Sequence, residues 1–170
     1  EGSGTTGDRS RRVSWDKGDS VMFVWGPDAE DCCIGVAQKT DVKTDFKADN
    51  IYKDAKTVYA VTPASAYHSF VKSANWDTDG TGTVKVDIRK QGGSFEDAYI
   101  AVARTNLESR KMRFKTLCGY VAVNPTNFIV GGFKLENKGT QAISAVIPVT
   151  AEMSGDYTGN LTTGELEETS

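Results

Sequence analysis

Alternation with a period of two is the feature that most constrains this chain. Segments such as TVKVDI (residues 83–88), SVMFVW (20–25), TVYAVT (57–62) and AYIAVA (98–103) place apolar side chains at every second position. That spacing puts one face of an extended strand against a core. The same pattern, rich in Val, Ile, Thr and aromatics, recurs in VSWD (13–16), CCIGVA (32–37), KMRFK (111–115), YVAV (120–123), FIVGGFKL (128–135) and AISAVIPV (142–149). Between these runs lie DKGD, GPDAED, DTDGTG, KQGG, NPTN and ENKGT, whose residues are those that turns demand. Seventeen glycines supply such turns throughout the chain. About ten short, mainly antiparallel strands without an amphipathic helix predict an all-β fold, a β-sandwich.

Energetics favour two layers over isolated hairpins. Burying Val84, Val86 and Ile88 on one face of residues 84–88 gains roughly 4–9 kcal/mol. Ordering those five residues costs on the order of 5–10 kcal/mol of backbone entropy. A second apolar sheet is therefore required, and Phe23, Trp25, Tyr59, Val61, Ile143 and Ile147 are expected to supply it, with Trp15 and Phe114 as further core residues. The 170 residues suffice for one full core without metals or disulfides. Residues 1–11 read as a flexible N-terminal arm, 12–163 as the folded domain with a last edge strand near DYTGNL, and 164–170 as a tail or linker.

A formal net charge of −3 gives no domain-wide basic field, so nucleic acid is not an expected partner. No apolar run approaches the roughly 18 residues of a membrane-spanning helix. Phosphate-binding loops are also unsupported. Gly92-Gly93, after VKVDI, lacks the spacing of a dinucleotide or P-loop fingerprint, and Gly80-Thr81-Gly82 runs into a strand. DTDGTG, residues 77–82, matches the start of a calcium loop, but the twelfth position is Ile88, which cannot coordinate. A hairpin turn through Asp79-Gly80 is the expectation, with an irregular calcium site at Asp77 and Asp79 as the alternative. His68 is the single histidine and has no partners for zinc. The carboxylate pairs Glu30–Asp31 and Glu96–Asp97 are adjacent in sequence, which does not define a glycosidase geometry. No cofactor, metal site or catalytic set is therefore expected.

Cys32 and Cys33 project to opposite faces of one strand, so at most one can reach Cys118. The alternatives are small buried side chains or one bridge to Cys118. Tyr67, Phe70 and Trp76 lie in AYHSFVKSANWDTDG, which reads as the longest irregular stretch. There they either close the end of the sandwich or contact a ligand such as a sugar.

The order of these segments resembles the fimbrillin-like family of Bacteroidales surface proteins. Val13, Trp15, Gly18 and Asp19 fit that family's opening strand, and Tyr59 with Pro63 fits the strand that follows. Gln91 then ends a strand before a loop, Ile100, Val102 and Ala103 fit the next strand, and Phe114 leads toward the apolar run at 120–123. Met112 and Arg113 stand where a Leu is usual. The match covers about residues 12–150 and has the length of one of the two domains that fimbrillins generally carry. The resemblance implies a transthyretin-like β-sandwich at the cell surface, in a fimbria or an outer-membrane lipoprotein held by an upstream lipid anchor. It implies a non-catalytic structural or adhesive role, with other pilin or surface-protein subunits as partners through β-strand addition. It also implies N-terminal processing near SRRV, at Arg11 or Arg12. A glycan-binding or accessory N-terminal domain of a carbohydrate-processing surface protein, with Tyr67, Phe70 and Trp76 as platform, is the alternative expectation.

Overall fold

A computed structural model describes residues 13–49, 51, 54–88, 99–106, 108–117, 146–151 and 161–163. They form an all-β structure of antiparallel strands. In chain order these are β1 (Ser20–Val24), β2 (Cys32–Ala37), β3 (Phe46–Ala48), β4 (Val58–Thr62) and β5 (Tyr67–Lys72), then β6 (Gly82–Asp87), β7 (Ala101–Thr105), β8 (Lys115–Thr116), β9 (Val146–Ala151) and β10 (Leu161–Thr163). One sheet has six strands in the order β3-β2-β1-β4-β7-β8, and the other has four in the order β10-β9-β6-β5. A single helical turn, α1 (Trp76–Asp79), sits between β5 and β6.

Side-chain parity along the strands creates two apolar clusters. Val24, Tyr59, Val61 and Val102 from the six-stranded sheet join Phe70, Val84 and Val86 from the four-stranded sheet, with Ala66 and Ile100, in the first cluster. Val21, Phe23, Trp25, Val58, Ala60 and Ala103 form the second, on the opposite face of the six-stranded sheet. Trp15, Phe46, Ile51, Ala55, Met112 and Phe114 pack over that face. Trp15 meets both Phe46 and Phe114 edge-on at 4.9 Å between ring centres, a geometry worth about 0.5–1.5 kcal/mol per pair beyond burial. Covered on both sides, β4 is buried at all five positions.

This arrangement corrects one expectation about the core. Phe23 and Trp25 do not share the inter-sheet cluster with Tyr59 and Val61. The β1–β4 register sets Phe23 opposite Ala60 and Val24 opposite Tyr59. Directly opposed residues share a face, so Phe23 turns away from Tyr59. Val84 and Val86 face the first cluster as expected, with Ile88 packed at its margin. The side chain of Ile147 and all of Ile143 lie outside the described residues.

Several strand limits also differ. Residues 13–16 contribute only a bridge between Trp15 and Asp41, whose backbones exchange hydrogen bonds of 2.9 and 3.1 Å. A turn follows at once, because the Asp16 N–H donates to the Asp19 carboxylate and the Lys17 N–H to Thr40 Oγ1. Of residues 111–115 only Lys115 enters a strand. The Ser109 N–H donates to Asn106 Oδ1 and the Lys111 N–H to Ser109 Oγ, so side chains take donors that a ladder would use. Residues 118–145, including Cys118 and the runs at 120–123 and 128–135, lie outside the described residues. So do Arg11 and Arg12, Glu96–Asp97, and Gln91 with Gly92-Gly93.

Candidate recognition surface

The stretch read as irregular contains β5, an edge strand of the four-stranded sheet. A β-bulge lies between Tyr67 and Ser69, so Tyr67 opposes Val86 while Ser69 opposes Lys85 and Phe70 opposes Val84. The extra residue, His68, shifts the parity of the strand. Tyr67 and Phe70, three apart in sequence, thereby point into the same core.

Phe70 is 5% exposed and offers no face to a ligand. Its ring centre sits 5.5 Å from that of Tyr59 and 5.5 Å from that of Trp76. Of the two alternatives for this residue, closing the sandwich or contacting a ligand, its place is with the first: it joins the inter-sheet core. Trp76 opens α1 and is half-buried on Phe70, with Lys72 Nζ 5.1 Å from its ring centre. Tyr67 lies three residues along β5 from Phe70, a rise of about 10 Å. It packs at the cluster margin, and burial, then Cys32 and Asp31, push its phenol up to about 12. The three aromatics thus do not form one open platform.

The β5–β6 connection is pinned to the start of β4. Lys56 Nζ donates to the Asp77 carbonyl at 2.6 Å and Thr57 Oγ1 to the Asp79 carbonyl at 2.7 Å. The Gly82 N–H donates to the buried Tyr59 hydroxyl at 3.0 Å. Burial raises the Tyr59 pKa, opposed by that N–H and by Arg104, whose guanidinium lies 5.7 Å from the ring centre. Gly80 closes α1 at φ +69°, a left-handed cap that a side chain enters only with strain. The connection joins an antiparallel pair, as expected of the Asp79-Gly80 turn, but through a helical turn.

This geometry disfavours calcium at Asp77 and Asp79. Asp79 Oδ1 accepts from both the Thr81 N–H, at 2.8 Å, and the Thr81 hydroxyl, at 2.6 Å. Those bonds, the side-chain one first, lower its pKa. The Lys56 ammonium already occupies the Asp77 carbonyl. Among the described residues no group of three or more His, Cys, Asp or Glu is placed to hold a metal ion.

Cys32 and Cys33 pack against opposite clusters, the first and second respectively. Burial, then Cys32 and Asp49, push the Cys33 thiol up to about 11, and burial followed by Asp31 raises Cys32. Both shifts disfavour the thiolate. Asp31 folds back to accept from the Asp28 N–H at 3.3 Å, a turn role for one of the paired carboxylates. His68 is exposed on β5.

A surface that sequence reasoning missed lies on β2. Ile34 opposes Met22, Val36 opposes Ser20 and Cys32 opposes Val24. Ile34 and Val36 therefore lie on the face of the six-stranded sheet that carries the inter-sheet cluster. Met22, Cys32 and Tyr67 pack at the margin of that cluster, yet Ile34 is 54% and Val36 38% exposed. Among the described residues nothing pairs with the outer side of β5. A strand added there would lie about 4.8 Å further out. Sequence alternation alone could not reveal this, because CCIGVA reads equally well with either face covered.

No helix among the described residues is long and apolar enough to cross a membrane. No family model matches this chain, and no curated protein or solved structure matches it either.

Proposed function

We propose that this chain is a non-catalytic cell-surface module, a structural or adhesive component of a fimbria or outer-membrane lipoprotein, folded as a transthyretin-like β-sandwich. The observation that carries the reading is the exposed Ile34–Val36 strip on β2, together with the outer side of β5, which no strand among the described residues covers. An extended segment from another surface subunit would gain main-chain hydrogen bonds from the edge and side-chain burial from the strip. The order of the sequence motifs, from Val13-Trp15 to Phe114, supports the cell-surface assignment. The bulge at His68 and the exposed Lys72 guard the edge against indiscriminate pairing, as edge strands require.

A photo-crosslinking side chain in place of Val71, itself 49% exposed on β5, tests this on intact producing cells. The expected result is an adduct with a second surface subunit that disappears on adding Ile34→Lys. Absence of any adduct, or one indifferent to Ile34→Lys, removes the strand-addition reading. Failure of antibodies to label the chain on intact cells removes the surface assignment.

A further inference from the structure

We draw no further inference here: the strongest candidate, the Trp76–Lys72 pair on the connection between β5 and β6, has its ring flanked by Phe70 and approached by an ammonium, and nothing in the structure shows what would cover it.

Discussion

Gly82→Ala is the most informative single change, because it probes the contact between the β5–β6 pair and the inter-sheet core. A Cβ built at Gly82 collides with Phe70 Cζ and lies 2.6 Å from both Phe70 Cε1 and the Val71 carbonyl oxygen. The ring cannot swing aside freely, since it is buried and packs against both Tyr59 and Trp76. The carbonyl belongs to the β5 backbone, whose Val71 pairs with Thr83. Overpacking of this kind costs about 1–3 kcal/mol, and the backbone clash places Gly82→Ala at the upper end, about 3 kcal/mol. At ~2–4 °C per kcal/mol for a domain of this size, Tm falls by roughly 6–12 °C. Urea unfolding with an unchanged m-value is the assay. Repeating it in a Phe70→Leu background separates the two collisions. Removing the ring should recover about 1 kcal/mol of the cost and leave the rest, because the carbonyl remains. A Gly82→Ala cost below about 0.5 kcal/mol, or one identical in both backgrounds, would refute the packing argument.

Three other changes test separate parts of the structure. At Gly35 the nearest atoms to an added Cβ all belong to the Phe23 ring, so Gly35→Ala should destabilise by about 1–3 kcal/mol and, unlike Gly82→Ala, be largely relieved by Phe23→Leu in urea unfolding. Trp76→Ala should lower stability by about 1–2 kcal/mol through lost packing on Phe70, read as an earlier thermal midpoint; no change in midpoint would mean that the ring does not brace the core. Tyr67 has a folded pKa of about 12, raised above the ordinary tyrosine value of about 10. The folded state therefore holds its proton more tightly, and stability falls as pH rises through that window. Tyr67→Phe should accordingly flatten the alkaline loss of stability relative to wild type, followed by chemical unfolding at stepped pH.

Much of the fold was legible because most strands sit with a clear face. Val84 and Val86 alternate with Thr83 and Lys85, and the inward pair was visible without coordinates. β5 was not legible for a physical reason. Its bulge brings Tyr67 and Phe70 to one face at a spacing of three, which erases the period of two. The division of aromatics between two clusters was hidden differently. Phe23 and Tyr59 each sit in clear alternation, but whether they share a face depends on the β1–β4 register, which no single strand encodes. The exposure of Ile34 and Val36 depends on what packs over that face of β2, which the alternation within CCIGVA does not encode.

The pinned connection has a consequence for how the layers can part. At one end of β4 three hydrogen bonds, from Lys56, Thr57 and Gly82, lash it to the neighbouring layer. At its other end the chain crosses to β5 through only a short turn at Ala64–Ala66. β4 is thus moored fore and aft, whereas Ile34 and Val36 on β2 stand 54% and 38% exposed. Tension that pries the layers apart should gape there first, like a book held at its spine.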